Sequence, residues 1–152
     1  MKLMNHVTTR IPNLPTELTQ KIAFVGSIAL ETEELQIFDI CLRNIAEILR
    51  KDNLLDNLFT VNVIFSVDGS FGLTFCDNSQ GKYIRLAVYN MNRIRKLKGA
   101  DQVAFIFTEE LVHHFWNFED ETKTKLKVIE ILQLTEPRIT KEYVENWELN
   151  WE

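Results

Sequence analysis

The sequence predicts an α+β fold: a small antiparallel three-stranded sheet packed against a long N-terminal helix, with further helices toward the C-terminus. Three observations predict it. Apolar residues recur at helical spacing over 32–51, a period-two alternation begins at Val61, and helical patterning returns from residue 100 onward. With 152 residues, 45% of them hydrophobic and 26% charged, the chain suits one packed domain over 1–152.

Residues 1–15, with Pro12 and Pro15, read as an irregular arm, and Thr16–Thr19 as a short turn or helix. The first helix is expected over Thr32–Lys51. Thr32 and the acids Glu33 and Glu34 suit a helix start, and Leu35, Phe38, Leu42, Ile45 and Leu49 form one apolar face. Asp52-Asn53 ends it. Val61, Val63, Phe65 and Val67 then alternate with Asn62, Ile64 and Ser66, and Asp68-Gly69 is a turn signal. A return strand is expected over Phe71–Cys76, a second turn over Asp77–Gly81, and a third strand over Tyr83–Tyr89 with Ile84, Leu86 and Val88 on one face. Two such short connections imply an antiparallel meander.

After a loop carrying Arg93, Arg95, Lys96 and Lys98, a helix is expected from Ala100-Asp101 to Trp116. Val103, Phe105, Ile106, Phe107, Leu111, Val112, Phe115 and Trp116 surround it with apolar residues, the pattern of a buried helix. A further helix is expected over 121–134, stopped by Glu136-Pro137, and a last short one in 138–152 anchored by Tyr143 and Trp147.

The net charge of −5 and pI near 5.3 argue against a nucleic-acid partner, which needs clustered basic residues. The short basic run reads as a solvated loop. Cys41 and Cys76 lie among apolar residues and read as free, buried thiols rather than a disulfide framework. The polar start MKLMNHVTTR does not fit a signal peptide, and no apolar run approaches the ~18 residues of a membrane span. A reduced, cytoplasmic setting with no membrane partner is the resulting expectation.

The buried helix carries charge where burial should exclude it. Glu109, Glu110, His113 and His114 sit among Phe105, Ile106, Phe107, Leu111, Val112, Phe115 and Trp116. Carboxylates and imidazoles in such surroundings cost several kcal/mol unless paired or bound to a metal. Glu109 and His113 are four residues apart, as are Glu110 and His114, so each pair lies on one face one turn apart. A carboxylate and an imidazole so placed can grip one divalent ion. Two ion pairs that steady a buried helix are the structural alternative.

The run Glu109-Glu110-Leu111-Val112-His113-His114 resembles the zincin metalloprotease helix, whose pattern is HExxH. The resemblance implies Glu110 as catalytic base and His113 as zinc ligand. Glu109 stands where the family has its first His, so it would supply a carboxylate ligand instead. That departure weakens the case for ordinary peptidase activity. The order of helix 32–51, three strands and helix 100–116 also resembles zincin-like domains, in which the last strand, here Tyr83–Tyr89, lines the substrate cleft.

A third ligand must come from Glu119, Asp120 or Glu121. Glu119 has the metzincin spacing, though Trp116 replaces that family's glycine; Glu121 has the place of an acid on a following helix. In a continuous helix Asp120 would lie about 10 Å beyond His113, so the helix must break near Asn117, a residue that tolerates the left-handed conformation. A solvated acidic helix start is the plainer reading of the three acids. The expectation is a zincin-like metal-dependent hydrolase acting on peptides, with zinc as its ion and other divalent ions also fitting. The alternative is a non-catalytic module that binds a peptide strand at the edge Tyr83–Tyr89. A di-iron protein needs two Glu-x-x-His units on a four-helix bundle, and Glu110-x-x-His113 is a single one.

Overall fold

The structure is a computed structural model that describes residues 11–25, 28–71 and 84–147. Its strands are β1 (Ile22–Phe24), β2 (Val61–Ser66) and β3 (Arg85–Asn90). Its helices are α1 (Thr32–Lys51), α2 (Met91–Ile94), α3 (Ala100–Phe115), α4 (Glu121–Leu132) and α5 (Lys141–Glu145). Two 3₁₀ turns, Thr16–Leu18 and Leu55–Asn57, precede β1 and β2.

Among the described residues the sheet has three strands in the order β1-β2-β3, and both pairings are parallel. This corrects the expected antiparallel meander. Ile22 pairs with Val61, and β2 pairs with β3 from Val61↔Arg85 to Ser66↔Asn90. Parallel neighbours need a crossover, and α1 supplies it between β1 and β2. The expected turn at Asp68-Gly69 does form: Gly69 has φ +86° and its N–H donates to Ser66 Oγ at 3.0 Å. No strand follows it at Phe71, and the rest of the predicted return strand and second turn lies outside the described residues. The antiparallel expectation rests on two short connections, but β2 and its parallel neighbour β3 are separated by residues 67–84, with no strand at Phe71. A sign of parallel pairing was available in β2, where Val61, Val63, Ile64, Phe65 and Ser66 are all buried, as parallel strands usually are.

In β3 the core-facing residues are Ala87 and Tyr89, while Leu86 and Val88 share the opposite, less buried face. Register explains this, since Ala87 lies beside Val63 and Tyr89 beside Phe65 on the buried face. That face meets α1 and α3 through stacked aromatics. The Phe38 ring lies 4.2 Å from Phe107 and 5.5 Å from Phe65, and Tyr89 lies 5.6 Å from Phe65. The Tyr89 hydroxyl, buried at this junction, donates to the Phe107 carbonyl at 2.6 Å. Four such rings bury enough apolar area to fix α3 against the sheet.

Helix α1 follows its predicted bounds, and Phe38, Leu42, Ile45 and Leu49 are fully buried. The N-cap is Glu31 rather than Thr32, and its backbone N–H donates to the Glu34 carboxylate at 2.8 Å. Glu34 also takes two hydrogen bonds from Arg95, at 3.0 and 2.9 Å, which ties the end of α2 to the start of α1. Cys41 is buried and free, as expected, and burial pushes its thiol pKa up to about 12. Among the described residues no helix is long and apolar enough to cross a membrane.

Helices α3 and α4 meet at a corner that positions the charged residues. Helix α3 ends at Phe115, and Asn117 takes a left-handed φ of +55°. Trp116 pins the corner to α1, its indole N–H donating to Asp52 at 2.8 Å. Lys127 of α4 reaches the same Asp52 carboxylate at 2.8 Å.

Candidate metal centre

Glu109 and His113 occupy successive turns of α3 on the side facing α4, as the four-residue spacing requires. Past the corner, Asp120 caps α4 by accepting from the Lys123 N–H at 2.8 Å, and Glu121 opens the helix. The turn brings Glu121 back over His113. His113 Nε2 lies 3.6 Å from Glu121 Oε1 and 4.0 Å from Glu109 Oε1. One ligand atom from each of the three residues lies within 4.8 Å of the others.

The ring of His113 is oriented by its other nitrogen. Nδ1 lies 2.8 Å from the carbonyl oxygen of Phe118. A carbonyl only accepts, so Nδ1 carries the hydrogen, and in the neutral ring Nε2 presents a bare lone pair to the two carboxylates. This is the arrangement that prepares a histidine to ligate a metal. The fully buried Thr124 hydroxyl lies 3.5 Å from the same Nδ1 and itself donates to the Asp120 carbonyl at 2.9 Å.

Glu109 is the strained member. Its side chain is only 13% exposed, and its Oε2 is buried without a hydrogen-bond partner among the described residues. Burial raises its pKa to about 7, with Glu121 and Glu110 pushing the same way and His113 and Lys125 opposing. Glu121 is the open member at 64% exposed. Two of the three side chains are therefore largely enclosed, and the third stands at the solvent-facing rim.

The donor set fits a divalent cation. Bonds of about 2.0–2.2 Å place neighbouring ligand atoms roughly 3.3–3.6 Å apart. The His113–Glu121 contact of 3.6 Å already meets that, while Glu109 lies 4.0 Å from His113 and the three ligand atoms together span up to 4.8 Å, so Glu109 must move inward to close on an ion. The residues Glu109, His113 and Glu121 can therefore hold a metal ion.

The remaining predicted residues fall outside this group. Glu119 is exposed and contributes no ligand atom to it, and Asp120 is spent as the α4 cap. Glu110 is half-buried beside the cluster, close enough to Tyr89, Glu109 and His114 to act on each electrostatically. His114 turns to the sheet, where its Nε2 lies 2.9 Å from the Leu86 carbonyl, and burial lowers its pKa. That pairing replaces the sequence alternative of a Glu110–His114 bond. His6 lies outside the described residues. Sequence reasoning missed the Phe118 carbonyl and Thr124. A backbone acceptor leaves no residue-type signal, while a Thr four residues after the Asp cap was a weak one. Two surface cavities, one beside Glu47, Lys51 and Glu130 and one over Cys41 and Ala104, touch none of the three ligands.

No family model matches the chain, and no curated protein and no solved structure matches it.

Proposed function

We propose that the chain is a metal-dependent hydrolase acting on peptides, in which Glu109, His113 and Glu121 hold one divalent cation, zinc foremost. One observation carries this reading: three side chains from two helices bring one ligand atom each within 4.8 Å, on a helix whose sequence resembles that of the zincins. A cation bound by three protein ligands would supply a Lewis acid and make water acidic near neutral pH. The chain supplies the rest. Phe118 holds His113 in the ligating tautomer, and burial holds Glu109 in place. Glu110, next to Glu109 and three residues before His113, is the base that takes the proton from attacking water.

A second reading is a non-catalytic module that binds a cation and a peptide. Two features favour it. Two carboxylates cancel the charge of a divalent ion and so weaken it as a Lewis acid compared with a histidine-rich set. In addition, β3 is an edge strand among the described residues, and a peptide could add to it.

The deciding experiment is hydrolysis of an unfolded protein substrate by chain loaded with zinc, compared with Glu110→Gln and Glu109→His. Turnover that stops with chelator, and stops in Glu110→Gln while zinc stays bound, supports the hydrolase. Turnover found only in Glu109→His supports the binding module. A chain that takes up no divalent ion overturns both.

A further inference from the structure

We infer that Asn117 is a positioning residue for the cation site, its left-handed backbone fixing the tautomer of His113 and delivering Glu121. The inference rests on the metal reading of the cluster. If α3 ran on unbroken, Glu121 would start about 12 Å farther along the axis than His113. It instead lies 3.6 Å from the His113 ring. The reversal happens between Trp116 and Asp120, and Asn117, at φ +55°, is the residue there whose backbone is left-handed.

Both flanks of Asn117 are held. The Trp116 N–H donates to the Val112 carbonyl at 3.0 Å, and its indole donates to Asp52 at 2.8 Å. Phe118 packs against the core, and Asp120 is fixed by its bonds to Lys123 and Thr124. With the flanks fixed, the sign of φ at residue 117 decides where the Phe118 carbonyl points. It points at His113 Nδ1, 2.8 Å away. The Asn117 side chain is exposed, so a substitution there acts through the backbone and not through lost packing. Gly occupies the left-handed region without strain and Asn visits it readily, whereas a Cβ-bearing residue such as Ala resists it.

The test uses the full chain with ¹⁵N-labelled histidine, as native, Asn117→Gly and Asn117→Ala. Two quantities are read: the His113 tautomer from long-range ¹⁵N–¹H spectra of metal-free protein at pH 8, and zinc affinity by competition with a chromogenic chelator. Native and Asn117→Gly should show His113 protonated at Nδ1 and bind zinc within about twofold of each other. In Asn117→Ala the Nε2–H form should appear and affinity should fall about tenfold. If Asn117→Ala does not fold, Asn117→Ser carries the same strain in milder form. A variant that keeps the native tautomer and affinity overturns the inference. Because the tautomer is read without any ion, a native chain that binds no zinc sinks the metal reading while the tautomers still judge the role of Asn117.

Discussion

Replacing Glu109 by Gln should stabilise the metal-free chain above neutral pH and abolish its response to metal. Burial, with help from Glu121, raises the Glu109 pKa from 4.5 to about 7. A raised acid binds its proton more tightly in the folded chain than in the unfolded one. Its contribution to stability is therefore complete below about pH 4.5 and is lost as pH rises through about 7. The gap corresponds to roughly 3 kcal/mol, and about 2–3 kcal/mol after allowing for screening of the exposed Glu121 charge. Gln keeps the shape and removes the charge. At pH 8 in chelator, Glu109→Gln should exceed native stability by about 2–3 kcal/mol, falling below about 1 kcal/mol at pH 5. The assay is urea unfolding followed by tryptophan fluorescence at both pH values. Other groups do not mimic the difference. Glu34, Asp52 and Glu130 have lowered pKa values, so their contributions are already complete above about pH 5. His114, lowered by burial, loses stability as pH falls below 6.5, but it does so in both proteins. Zinc added at pH 8 should raise the native midpoint and leave the variant where it is. A variant no more stable than native at pH 8 would refute the reasoning.

Three further outcomes follow from the same geometry. Glu121→Gln removes the second cause of the raised Glu109 pKa, so the Glu109 carboxyl should titrate below about 7 by ¹³C NMR. His114→Ala breaks the bond to the Leu86 carbonyl and should cost about 1–2 kcal/mol in urea unfolding while leaving zinc affinity within about twofold, since His114 faces the sheet. Trp116→Phe deletes the donor to Asp52 and should cost about 1–3 kcal/mol by the same assay.

Legibility in the sequence followed physical scale. Helix α1 was readable to its bounds, because a long amphipathic helix repeats its face many times. The break at Asn117 was readable from reach alone, since a straight helix cannot return an acid to His113. The pairing of Glu109 with His113 was equally a matter of helical spacing. Strand direction was not readable: Val61–Val67 alternates alike in either orientation, and β1 is three residues long, too short to show a period. The choice of Glu121 over Glu119 was not readable either, because one residue of phase in a tight corner decides which acid faces inward. Asp120 was the better clue, as an Asp preceding a helix is a cap before it is a ligand.

The most direct measurement is calorimetric titration of zinc into chelator-stripped chain, native beside His113→Ala. One ion per native chain, with binding lost in His113→Ala, is the expected result. Native protein that releases no binding heat and takes up no metal, or a variant that binds as native does, would contradict the assignment of Glu109, His113 and Glu121 as ligands.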